Sequence, residues 1–208
     1  MEDFGHTLLR MTSVEQSALV ADDVTTRERI FEAVLGLCRE RAYDAFDVGD
    51  ISRRAGVDEE AVRAGWPAKN LVVMEALLHA VAPHMRFPRT GDIRADLEQQ
   101  LAATARLFAD PGIGPHLRAV ISEMHTDARL SETFLRKVYT PNRTVARARF
   151  ELAQEQGQLR TDIDLDTAVD LVFGSLWFRL LLATGPLTPQ LAASITEHAL
   201  AGLAVPAA

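Results

Sequence analysis

An all-α fold is what this sequence predicts, and three observations predict it. Apolar residues recur at three- and four-residue spacing along most of the chain. Asp, Thr, Gly and Pro stand where such stretches would start and stop. No segment alternates apolar and polar residues as a strand does. The spacing sets out about nine helices with short connections and no internal repeat. The chain of 208 residues has room for one large domain or two small ones, and 48% hydrophobic residues is ordinary for a globular core. Three segments are expected: an N-terminal extension over 1–24, a small helical domain over 25–72, and a larger helical domain over 73–208.

In the extension, Leu8, Leu9, Met11, Val14 and Leu19 keep no clean period, and acidic residues outnumber Arg10. Thr25 with Glu28 reads as a capping box opening a helix that runs to Arg41. Ile30, Val34, Leu37 and Cys38 share one face of it, so this helix faces a core. Tyr43 and Phe46 are expected to pin the connection that follows.

The stretch Val48 to Asn70 carries the strongest local signal. Val48, Ile51, Ser52 and Ala55 form one face of a short helix, with Asp47 before it as N-cap. Gly56 follows, where a left-handed C′ residue is cheap only for glycine. Val57 and Asp58 lead into a second short helix with Val57, Ala61, Val62 and Trp66 inward, stopped at Pro67. Two helices this short need a third beside them, which the Arg27–Arg41 helix provides. The result is a helix-turn-helix in a three-helix unit, whose second helix would enter a DNA major groove.

The run Asp50-Ile51-Ser52-Arg53-Arg54-Ala55-Gly56-Val57, then Val62, Trp66, Lys69 and Leu71, with Ile30, Ala33, Leu37 and Tyr43 upstream, resembles the N-terminal domain of TetR-type (TetR/AcrR) transcriptional regulators. The resemblance covers roughly 27–72; beyond that it extends only to helical character and length. It implies an N-terminal helix-turn-helix domain joined to a larger C-terminal ligand-binding and dimerisation domain. It also implies a ligand-responsive regulator, a repressor, that binds operator DNA as a homodimer. The alternative is a TetR-like dimer that has lost specific DNA binding and serves as a small-molecule or protein-binding module. The DNA-contact candidates are Arg27, Asp47, Arg53, Arg63, Trp66 and Lys69. At Glu60, Ala61, Arg63 and Gly65 the chain departs from the residues usual in that family.

The helices of the larger domain follow in order. Lys69 to Pro83 continues helical, and 84–92 reads as a loop. Ile93 to Phe108 forms the next helix, ended by Asp110-Pro111-Gly112, and Leu117 to Met124 a shorter one. Leu130 to Val138 adds a turn or two. Thr140-Pro141 is expected to start a new helix, Thr as N-cap and Pro at N1, running to Gln156. Leu165 to Thr184, capped at Asp164 or Asp166, and Thr188-Pro189 to Leu203 complete the chain. The last two helices are apolar on more than one face, which asks for cover by a second chain. Interface candidates are Gly174, Leu176, Arg179, Leu191 and Ile195, with the role of Val172 left open. Candidates for lining an effector pocket are Phe108, Met124, His125, Phe134, Tyr139, Phe173 and Trp177. The effector would be small and largely apolar.

Other classes find little support. The histidines lack the i, i+4 pairing of a helical metal site, so no metal is expected. No glycine-rich phosphate loop follows a strand, and no nucleophile signature is present, so no enzyme and no cofactor are expected. Asp162, Asp164 and Asp166 lack the glycine and distal glutamate of a calcium loop and read as caps. The single cysteine, Cys38, forms no internal disulfide and reads as core. With no apolar run long enough to span a bilayer and no secretory pattern, a cytoplasmic protein is expected. The charge is unusual for a DNA reader: 22 basic residues against 29 acidic overall, and eight against nine over 25–72. DNA affinity must then come from local placement.

Overall fold

The computed structural model describes residues 24–84 and 86–205; the extension expected over 1–24 lies outside them except for Val24. The described residues form α1 (Val24–Glu40), α2 (Val48–Ala55), α3 (Glu59–Gly65), α4 (Lys69–Val81), α5 (Ile93–Ala109), α6 (Gly114–Glu123), α7 (Ala128–Phe134), α8 (Thr140–Glu155), α9 (Leu165–Leu182) and α10 (Pro189–Leu203). They contain no strand beyond one isolated antiparallel pair, Leu159 with Ala204. They divide into two compact units, 24–80 with 115–124, and 81–114 with 125–205. The first unit thus runs past the expected boundary after residue 72 and takes in most of α6.

In the first unit, α1 buries Ile30, Phe31, Ala33, Val34, Leu37 and Cys38 against the inward faces of α2 and α3. The helix already includes Val24 and Thr25, so the expected capping box at Thr25 is not how it starts. Burial pushes the Cys38 thiol up to about 12, which makes it a core residue and a poor nucleophile. α6 joins this unit through His116 and Glu123. The buried His116 ring packs against Tyr43 and Phe46, with centroids 6.4 and 6.2 Å away, and its Nε2 lies 3.0 Å from the Arg41 carbonyl. Asn70 Nδ2 donates to Glu123 Oε2 at 2.9 Å. Burial holds His116 below its ordinary pKa, against the pull of the Arg41 carbonyl and with a further push from Lys69. The neutral ring therefore donates from Nε2.

In the second unit, α10 lies along α5, and α9 packs on α5, α8 and α10. Asp92 caps α5, accepting from Arg94 N at 2.8 Å, while Gln158 Oε1 accepts from Ile93 N at 2.8 Å. Two expectations need correction here. Thr140 is helical (φ −60°, ψ −47°) and caps nothing, because α7 runs into α8 through a wide π turn at Leu135–Tyr139. Pro141 has no N–H and would crowd the carbonyl one α-turn back; widening the turn before it accommodates both defects, and Thr140 N reaches Leu135 O instead. The helix from Leu165 ends at Leu182, not at Thr184, because Ala183 takes the left-handed conformation (φ 52°). The three aspartates act locally. Asp162 pairs with Arg160, Asp164 caps α9 by accepting from Thr167 N at 2.7 Å, and Asp166 meets Arg143 and Arg147.

The deepest polar contact is in this unit. Arg149 Nε donates to Asp96 Oδ2 at 2.6 Å, with side chains 1% and 0% exposed. Burial raises the Asp96 pKa, but the Thr90 hydroxyl and backbone N–H, together with Arg149, outweigh it and hold the carboxyl below its ordinary value.

Candidate nucleic-acid interface

The start of α2 and the turn that follows it are built by interlocking hydrogen bonds. Asp47 Oδ1 accepts from Asp50 N at 2.8 Å and Asp50 Oδ2 from Asp47 N at 3.2 Å, a reciprocal box that satisfies two orphan N–H groups. Gly56 is left-handed (φ 64°), and Val57 N then reaches Ser52 O at 3.2 Å. Ser52 Oγ donates to Val57 O at 2.6 Å, tying the turn from inside. Arg29 of α1 donates to the Ala55 and Gly56 carbonyls at 2.5 and 2.9 Å, placing a cation on the negative end of α2. Asp58 stands at the N-cap of α3 but makes no side-chain cap bond. Ala61, Val62 and Trp66 are buried, Trp66 against Phe31 of α1; outward α3 shows Glu59, Glu60 and Arg63.

The six expected DNA contacts separate in this geometry. Arg53 and Arg63 are outward, 74% and 53% exposed, each paired with a carboxylate: Arg53 with Asp50 at 2.9 Å and Arg63 with Glu59 at 2.6 Å. Asp47 is consumed as the α2 cap. Trp66 is corrected to a core residue: it is 4% exposed, its ring 5.6 Å from Phe31. Arg27 is half-buried and structural, bound to Glu75 at 2.6 Å with its guanidinium over Phe31 and Trp66. Lys69 has partners within its own unit. Its ammonium donates to the Tyr43 and Phe46 carbonyls at 2.9 and 3.3 Å and lies 3.9 Å from the Tyr43 ring centre, so it fastens the α1–α2 connection. Arg54, not singled out from the sequence, makes two 2.6 Å bonds to Glu40.

The effector candidates are only partly brought together. Phe108 and Phe134 close on Trp177, with centroids 4.7 and 6.3 Å away, where α5, α7 and α9 meet. Phe173 pairs with Phe87 at 6.3 Å. Tyr139 and His125 are exposed, and Met124 belongs to the first unit. Among the interface candidates, Val172 and Leu176 are each 0% exposed and so belong to the core of their own unit. Leu191 and Ile195 are half-buried, and Arg179 Nη1 donates to Pro186 O at 3.0 Å. The outward stripe of α9 consists of Leu171, Gly174, Ser175, Phe178 and Leu182; Leu171, Phe178 and Leu182 are 58, 56 and 61% exposed. The α9 pattern, apolar all round, held both stripes. Only packing showed which one is left outward.

The described residues thus hold a three-helix helix-turn-helix in the first unit and a helical second unit. The family model described as "Tetracyclin repressor-like, C-terminal domain" matches residues 87–199. The chain is 30% identical to the TetR family transcription regulator SCO0332, whose crystal structure it superposes on with a TM-score of 0.74, covering 87% of this chain and 99% of that one. A putative TetR-family regulator from Mesorhizobium loti shares the fold at 17% identity (TM-score 0.66; 94% and 100% covered). The HTH-type transcriptional regulator YdeS of Bacillus subtilis, whose function is uncharacterised, is 25% identical over 181 residues, 87% of this chain and 91% of YdeS. The chain belongs to the TetR family of transcriptional regulators.

Proposed function

We propose that this protein is a ligand-responsive repressor that binds operator DNA as a homodimer. The observation that carries the reading is the helix-turn-helix itself: α3 is held from inside by Ala61, Val62 and Trp66, which leaves its opposite face, with Arg63, turned outward for a groove. The outward stripe Leu171, Gly174, Phe178 and Leu182 supports a two-fold contact through α9, since an apolar helix face calls for cover and a small residue lets a partner helix approach. The cluster of Phe108, Phe134 and Trp177 supports an apolar effector in the second unit.

Binding of the full chain to DNA from upstream of its own gene, followed by fluorescence anisotropy with a scrambled duplex as control, tests the reading. Specific binding at a two-fold site, weakened by an effector, is the expected result. The effector must in turn bind less tightly in the presence of DNA by the same factor. Light scattering at micromolar concentration should give a two-chain mass, and Phe178→Asp a one-chain mass, because the charge would be buried unpaired. The acidic outward face of α3, with Glu59 and Glu60, favours a second reading: a dimeric binding module without specific DNA affinity. Equal binding to matched and scrambled DNA, or none, selects it.

A further inference from the structure

The Glu59–Arg63 pair is built in a particular way. Arg63 Nε and Nη2 both donate to the same oxygen, Glu59 Oε1, at 2.9 and 2.6 Å. These two nitrogens form the side edge of the guanidinium. The end edge, Nη1–H with the outer Nη2–H, makes no bond among the described residues, and the side chain is 53% exposed. That end edge carries two parallel donors, the pattern that meets O6 and N7 of a guanine in the major groove. The other carboxylate oxygen, Glu59 Oε2, is seated against the first turn of α2. It lies 3.2 Å from where a Cβ on Gly49 would be, so the missing side chain at Gly49 makes its room. Glu59 thus lies beside the first turn of α2, and Arg63 is held by Glu59. A long flexible side chain is aimed before DNA arrives, which lowers the entropy lost on contact.

We infer that Glu59 is a positioning residue that makes Arg63 a guanine reader, so that an acidic recognition helix still specifies one G·C pair. This rests on the DNA-binding reading above and deepens it. The plain alternative is that the pair merely supports the helix, as exposed glutamate–arginine pairs four residues apart commonly do.

The test uses the full dimer and an operator selected from a random duplex library with the wild-type protein, each position then varied in turn. If the wild type selects no sequence, the DNA-binding reading fails and this inference with it, before any variant is made. If it selects one, the wild type should prefer guanine at one position per half-site by roughly 5- to 150-fold. Arg63→Ala should abolish that preference. Glu59→Ala should reduce it to about threefold or less, although removing a carboxylate raises affinity for all sequences. Glu59→Gln, which keeps an acceptor for Arg63, should retain most of the preference. In the Arg63→Ala background, Glu59→Ala should leave base preference unchanged. Helix content and melting temperature are read alongside. A Glu59→Ala dimer that keeps the full guanine preference overturns the inference, as does one in which Gln behaves like Ala.

Discussion

In the first unit, Arg54 shares both terminal nitrogens with Glu40 and Arg63 leans on Glu59, and all four side chains remain partly exposed. In the second, Arg149 meets Asp96 with neither side chain reached by water, and its Nη1 and Nη2 find no acceptor among the described residues. The chemistry is the same and the consequences are opposite. Water and salt compete for the exposed pairs, so each contributes little to stability. The buried pair has no such alternative. It contributes little relative to a well-packed apolar pair, yet breaking it by removing one partner costs about 3–5 kcal/mol.

The largest expected effect breaks the buried side of that comparison. Asp96→Asn should destabilise the second unit by about 3–5 kcal/mol, read from denaturant unfolding, because Arg149 would remain charged and uncompensated. Acid should do the same. The folded carboxyl sits below its ordinary value of 3.8, so its contribution is complete above that pH and is lost as the pH falls below it. Replacing Asp96 and Arg149 together with Leu and Met should recover most of the loss, a double-mutant result that exposed pairs do not give.

Lys69 is the intermediate case, a half-buried cation whose partners are carbonyls. Lys69→Met should cost the first unit about 2 kcal/mol, from charge-assisted bonds to the Tyr43 and Phe46 carbonyls. Unchanged stability with a DNA salt dependence flattened by about one phosphate would instead restore Lys69 as a DNA contact.

His116 sharpens the comparison through pH. Its folded pKa lies below the ordinary 6.5, so the neutral ring contributes fully above pH 6.5 and the contribution declines as the pH falls through that value. Melting temperature should fall between pH 7 and 5, and His116→Gln should flatten that fall. The smallest effect belongs to Arg54. Arg54→Ala should leave the denaturant midpoint nearly unchanged, and more nearly so in high salt.

The local signals in the sequence were those whose physics is local. A cap, a left-handed glycine and a proline stop act within one turn of chain, so Asp47, Gly56 and Pro67 could be placed without any tertiary knowledge. The same holds for the Glu59–Arg63 spacing, which was visible in the sequence but not singled out. Thr140-Pro141 misled because its local rule assumes a free helix start, whereas α7 and α8 stacked end to end pull the proline inside and the backbone widens around it. Arg29 on the Ala55 carbonyl and His116 under Tyr43 join residues 26 and 73 positions apart, and no spacing rule reaches that far.

Helical periodicity, caps and turn glycines therefore determined an all-α chain with a helix-turn-helix near its start, because each is a property of a few adjacent residues. Tertiary structure decided the rest. It turned Trp66 and Lys69 inward to serve the small core and buried Leu176 while leaving Phe178 outside on the same helix. It also brought Asp96 to Arg149 across 53 residues. Which of two apolar faces is covered, and which charge loses its water, depends on what another element places beside it, and that neighbour is set by the packing of the whole chain.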